Sequence, residues 1–156
     1  MDEPYHFVDS GLPNVYLVGI RYFRCECSQQ LADIPAIKQL LNLIARDLVE
    51  EPSPLTGAEI RFLRKRLGKK AADFAKQIGL EPETLSRIEN QHLPASERTD
   101  KLIRLYYALA SKDPILLGQM QDGVDQMLTT WQRIDPLPQK KIVASVKDNE
   151  WSPVAA

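Results

Sequence analysis

The sequence predicts a mainly α fold, with a small α+β domain over residues 1–52, a compact helical domain over 53–111, and a C-terminal helix and tail over 112–156. Three observations carry that division. A run rich in β-branched and aromatic residues, "VYLVGIRYFRCEC" at 15–27, is followed by an apolar stripe of helical period. The segment "EEPSPLT" then breaks both patterns with two prolines. Beyond it, short amphipathic segments alternate with glycine and proline signals, and helices that short are stable only when they share one core.

Taken in order, "SGLPN" reads as a loop and 15–27 as two short strands with a turn or bulge at Gly19. At 35–49, Ile37, Leu40, Leu41, Ile44 and Leu48 fall on one helical face, with Pro35 suited to the first turn. Val15, Leu17 and Phe23 are expected to pack against Ile37, Leu41 and Ile44. Thr56 and Glu59 form a capping box, and Leu55 is placed to staple Ile60, so a helix begins there and ends near Gly68. "KAADFAKQI" carries Phe74 and Ile78 four apart and stops at Gly79. In "EPETLSRIENQHLP", Leu85 and Ile88 share a face that Thr84, Ser86 and Arg87 avoid.

"ERTDKLIRLYYALA" supplies the next helix. Asp113 can cap another, with Pro114 in its first position and a stripe of Ile115, Leu117, Met120, Val124, Met127 and Trp131. After Ile134, "DPLPQ" leads into "KKIVASVK", read as a strand, and then a frayed end. There is no internal repeat.

A chain of 156 residues, 44% hydrophobic, can bury one proper core or two small ones without disulfides or metal. Its net charge of −1 gives no whole-chain sign of nucleic-acid binding. The average hides an asymmetry: in "RFLRKRLGKK" at 61–70 every ionisable group is basic, whereas "ARDLVEEP" before it is mostly acidic. No secretory signal and no membrane-spanning apolar run is visible, and Cys25 and Cys27 are the only cysteines, so the protein is expected in the cytoplasm with no membrane partner.

Between Phe74 and Ile88 the order of residues has the form of two helices joined at a sharp turn. Ala75 permits close approach, Gly79 permits the turn, and Leu85 and Ile88 pack back onto Phe74 and Ile78. The stretch "IRFLRKRLGKKAADFAKQIGLEPETLSRIENQHLPAS" resembles the lambda-repressor-like, or Xre-type, helix-turn-helix family over roughly residues 56–110. The resemblance implies a lambda-repressor-like bundle whose helix at about 82–89 enters a DNA major groove. It places Glu83, Thr84, Ser86 and Arg87 at base-facing or groove-edge positions and Asn90 on a phosphate. It also pairs Arg64 with Glu89 as a structural clamp.

In that setting Arg87 can donate a bidentate pair to guanine, Glu83 can read cytosine, and Thr84 and Ser86 can contact a thymine methyl or a phosphate. Two positions depart from the family pattern. Lys70-Ala71 stands where the preceding helix usually opens with Ser/Thr-Gln, and Glu81 replaces the usual capping Ser or Thr. Lys69 and Lys70 then supply charge in place of the lost polar phosphate contact. The alternative is a helical bundle whose basic face is merely solvated.

Over nearly residues 5–110 the chain also looks like the MqsA/YgiT-type antitoxins, in which a small zinc domain precedes such a helix-turn-helix. That family holds its metal with two Cys-x-x-Cys pairs. Here the first pair is missing and the second is Cys25-Glu26-Cys27, with His6 the sole plausible addition, so no metal and no other cofactor is expected. Cys25 and Cys27 are read as small apolar side chains on one strand face beneath the helix at 35–49, in preference to a zinc or redox role. A site shared by both cysteines of two chains across a dimer axis stays open. His6 is read as a packing residue.

No enzyme is expected. His6 and His92 stand beside no candidate nucleophile, no glycine loop cradles phosphate, and Tyr106 and Tyr107 read as core or interface residues. The expectation is a homodimeric transcriptional regulator that binds double-stranded DNA at an inverted repeat, its own operator included. The helix from 114 to 131 serves either as dimer interface or as an extra core helix. The alternative from another class is an antitoxin or adaptor whose N-terminal domain binds a toxin or other protein partner.

Overall fold

The structure, a computed structural model, describes residues 3–27, 30–130 and 141–154. It is a mixed α/β fold with strands at the N-terminal end and several helices after them. Among the described residues no helix is long and apolar enough to cross a membrane. The chain forms two units, Met1–Ile44 with Gln139–Ala156, and Ala45–Pro138.

In the first unit, β1 (Tyr5–His6), β2 (Val15–Val18), β5 (Ile142–Lys147) and β6 (Glu150–Pro153) form one sheet in the order β1-β2-β5-β6. β2 and β5 run parallel, Val15 opposite Ile142 and Leu17 opposite Ala144, and all four side chains are buried. Alternate residues of both strands thus face one core, as the period of two requires. Leu40 and Ile44, in the first half of α1 (Ile37–Glu50), are also fully buried. Trp151 on β6 is buried, and its indole Nε1 donates to the Pro35 carbonyl at 2.7 Å.

β3 (Arg21–Arg24) and β4 (Gln30–Asp33) make a separate antiparallel ribbon. The two strands expected around Gly19 are therefore present, but they belong to different sheets. Gly19 sits at φ +81°, and a Cβ there would come within 2.8 Å of the Val146 carbonyl oxygen.

Several expectations change in this unit. The tail expected to fray is β6, and it closes the N-terminal sheet, so the residues after 138 belong with the first unit and not with the C-terminal helix. Phe23 and Ile37 are exposed instead of packed and Leu41 is half-buried, because β3 leaves the main sheet and the start of α1 turns Leu40 and Ile44 inward. Cys25 and Cys27 lie beyond the end of β3 in a turn, and both are exposed. His6 is exposed too; it stacks on Tyr16 at 4.7 Å and its Nε2 donates to the Pro13 carbonyl at 2.8 Å.

The second unit holds the end of α1 and the helices α2 (Gly57–Arg66), α3 (Ala71–Gln77), α4 (Pro82–Glu89), α5 (Glu97–Ala110) and α6 (Pro114–Thr130). Both bonds of the Thr56–Glu59 capping box are made, at 3.3 and 2.7 Å. At the centre is Arg104, which has no exposed surface. Its Nε donates to Asp100 Oδ1 at 2.6 Å, and its Nη atoms donate to the carbonyls of Leu48, Val49, Glu51 and Ser53 at 2.6–2.9 Å. The other Asp100 oxygen accepts the Leu55 N–H at 2.6 Å. One guanidinium thus satisfies carbonyls left over at the end of α1 and pins the proline-containing connection that starts α2.

Asp113 caps α6 through the Ile115 N–H at 2.9 Å and pairs with Arg46 at 2.7 Å. The inward residue of α6 is Leu116, which the expected stripe left out, while Ile115 is exposed and Leu117 and Met120 are half-buried. Val124 and Met127 fall among residues whose side chains are not described, and Trp131, Ile134 and "DPLPQ" lie outside the described residues.

Candidate nucleic-acid interface

α3 is too short to stand alone, and its inward face is Phe74 and Ala75, both buried. Tyr106 from α5 packs edge-on against Phe74 at 5.7 Å, and its hydroxyl donates to Gln77 at 2.6 Å. α3 ends where Gly79 adopts φ +73°. The Leu80 N–H then returns to the Ala75 carbonyl at 2.8 Å and the Gly79 N–H to the Lys76 carbonyl at 3.3 Å, the pair of hydrogen bonds by which a left-handed residue closes a helix. Residues 78–81 redirect the chain into α4, which opens with Pro82 in its first turn.

α4 buries Leu85 and Ile88, each contributing about 1.5–3 kcal/mol on burial, and leaves Glu83, Ser86 and Arg87 exposed with Thr84 half-buried. Its cap residue, Glu81, makes no side-chain cap bond. The N-terminal half of the helix therefore presents a short polar side-chain set and free backbone N–H groups of its first turn to the outside.

The far end of α4 is fixed by charge. Glu89 is buried, and Arg64 meets it with two bonds, Nε to Oε1 at 2.6 Å and Nη2 to Oε2 at 2.8 Å. The remaining Arg64 Nη1 donates to the Lys69 carbonyl at 2.9 Å. Side-chain exposures of 11% and 5% make this a largely desolvated pair. Hydrogen bonding to Glu89 holds the Arg64 pKa above its usual value against the opposing effect of burial.

Two contributors were not singled out from the sequence. Arg61 lies one helical turn from Arg64 and donates to Glu89 Oε2 at 3.4 Å, to the Glu89 carbonyl at 3.2 Å and to Asn90 Oδ1 at 2.6 Å. Gly57 faces the end of α4 so closely that a Cβ would stand 2.2 Å from the Ile88 carbonyl oxygen and 2.8 Å from that of Glu89. The sequence held a signal for Arg61 in its three-residue spacing from Arg64. For Gly57 the signal is weak: a glycine in the first helical turn, where a side chain would ordinarily be tolerated.

Asn90 is occupied on both sides of its amide. It accepts from Arg61 and donates from Nδ2 to the Ser86 carbonyl at 2.9 Å and to the Ser86 hydroxyl at 3.4 Å, so its part is to close α4. Lys69 is half-buried and Lys70 exposed at the start of α3. Glu83, Thr84, Ser86 and Arg87 are gathered on α4, whereas Arg64 and Glu89 form the support behind them.

No protein-family model matches the chain, and no solved structure matches it. Among curated proteins it is similar to a tRNA pseudouridine synthase A of Methylacidiphilum infernorum (isolate V4), at 27% identity over 123 residues, 66% of this chain and 48% of that protein. The chain spans about half the length of the curated relative it matches.

Proposed function

We propose that the second unit is a lambda-repressor-like helix-turn-helix module that binds double-stranded DNA in a sequence-specific way, as a cytoplasmic transcriptional regulator acting by binding and not by catalysis. The observation that carries this reading is the division of α4: Leu85, Ile88 and Glu89 are buried and anchored, while Glu83, Ser86 and Arg87 face outward. A helix held only along one face and at its far end can enter a major groove without disturbing its own support. Arg87 reads a guanine, and Lys69 and Lys70 neutralise phosphates.

One module covers one half-site, so two copies on an inverted repeat complete the complex. Binding to the DNA upstream of the chain's own gene would make the regulator control its own synthesis. The antitoxin or adaptor alternative assigns the first unit to a protein partner. It draws on the exposed apolar pair Phe23 and Leu31, directly opposite each other on the β3–β4 ribbon. The two activities are compatible in one chain.

The test is a titration of the full chain against that upstream DNA at several salt concentrations, with scrambled duplex and a transfer RNA as competitors. The RNA arm answers to the name of the curated relative. The reading predicts preference for the upstream duplex and a linear fall of log affinity with log salt. Equal affinity for scrambled duplex, or preference for the RNA, would reject sequence-specific DNA binding.

A further inference from the structure

The DNA reading leaves Cys25 and Cys27 without a task. β3 ends at Arg24, and Cys25, Glu26 and Cys27 begin the connection to β4 with both thiols at the surface. A cysteine buried among apolar side chains is inert, but an exposed one reacts according to its thiolate character and its neighbours. Here the other cysteine stands two residues away. The Cys27 side chain hydrogen-bonds to the Cys25 thiol, as do the backbone N–H groups of Cys27 and Glu26, and together they hold the Cys25 pKa below the ordinary thiol value. Two residues apart in a turn, the pair has Cα atoms within reach of the roughly 4.4–6.8 Å that a disulfide spans.

We propose that Cys25 and Cys27 form a reversible intrachain disulfide by exchange with a low-molecular-weight disulfide of the oxidised-glutathione class. Cys25, as thiolate, attacks one sulfur of the small disulfide; the Cys25–S bond forms, the S–S bond breaks, and one small thiolate leaves. Cys27 then loses its proton and attacks the Cys25 sulfur, forming the intrachain bond and expelling the second small thiolate. The chain is oxidised by two electrons, and one small disulfide is reduced to two thiols. A ring this tight at an exposed turn is readily reopened, which marks a labile bond and not a structural staple. The reaction stands apart from DNA binding and does not depend on it.

The experiment equilibrates the reduced full chain in buffers of graded reduced-to-oxidised glutathione ratio, traps free thiols by alkylation, and reads intact mass. The disulfide predicts a monomer about 2 Da lighter with no alkylated thiol, its midpoint inside the buffer range. Cys27→Ser should stop at the first step and carry one glutathione, a gain of ~305 Da, and Cys25→Ser should gain it more slowly because the activated thiolate is gone. Both variants replace exposed side chains by their oxygen analogues, and circular dichroism checks that they fold. Wild-type thiols that remain alkylatable in the most oxidising buffer would overturn the proposal. So would stable glutathione adducts or cross-chain dimers in place of the lighter monomer.

Discussion

Both units have apolar cores, and the second adds buried ion pairs to its own. The first is closed by apolar packing across a sheet whose partners come from opposite ends of the chain, Leu17 beside Ala144 and Val15 beside Ile142. The second is helical and has an apolar core of its own, Ile60, Leu63, Phe74 and Ile103 among it, to which it adds the desolvated ion pairs Arg104 with Asp100 and Arg64 with Glu89 and the half-buried pair Arg46 with Asp113. Apolar packing is tolerant of direction, so it serves where a layer must simply be covered. A desolvated arginine with its hydrogens committed is not tolerant, and the second unit uses such groups where α4 and the start of α2 must be placed.

Arg104→Met breaks that contrast most severely. It leaves Asp100 buried without its partner and removes donors from four carbonyls, so the second unit should lose at least ~3–5 kcal/mol in chemical denaturation. A loss below about 1 kcal/mol would show that the ion cluster is replaceable by packing. Removal of the Glu89 charge partner comes next. Arg64→Ala should cost ~3–5 kcal/mol because the pair is desolvated, reduced somewhat by Arg61, which still reaches Glu89. The double variant with Glu89→Ala should cost less than the sum of the singles, and strict additivity would mean that the two side chains do not act as a pair.

In the first unit, Leu17→Ala should cost ~2–5 kcal/mol, as deletion of a fully buried leucine does. Hydrogen exchange at the amides of β2 and β5 reads it directly, with the α2–α5 amides as internal reference; unchanged protection of the strands would argue against the apolar closure. Gly57→Ala is smaller. The added methyl meets backbone and not a flexible side chain, so ~1–3 kcal/mol is expected from overpacking, whereas a gain in stability would mean that α2 shifts freely against α4.

The same contrast explains what the sequence could disclose. The capping box of Thr56 and Glu59, the stop at Gly79 and the cap at Asp113 are local, and each lies where its spacing placed it. Pairing of β2 with β5 is not local, and a tail with a plausible strand carries no mark of the sheet it will join. Burial is likewise unwritten: whether Arg64 and Glu89 form a weak surface pair or a desolvated one depends on what covers them. The cysteines went astray for a related reason, since the strand pattern runs on through "RCEC" while the backbone leaves β3 at Arg24. Gln91 closes α4 at φ +61°, a position that glycine would advertise and glutamine does not.

If the buried charges exist to present α4, then changing its outward face should alter recognition and leave the fold alone. A selection from randomised duplexes, comparing the full chain with Arg87→Ala at matched circular dichroism, tests this most directly. The account predicts a wild-type consensus with an inverted repeat, and for the variant a loss of preference at one position per half-site with affinity lower by ~1–3 kcal/mol. An identical consensus from both proteins would remove Arg87 from the reading surface, and the absence of any consensus from the wild type would contradict the assignment of α4 as a recognition helix.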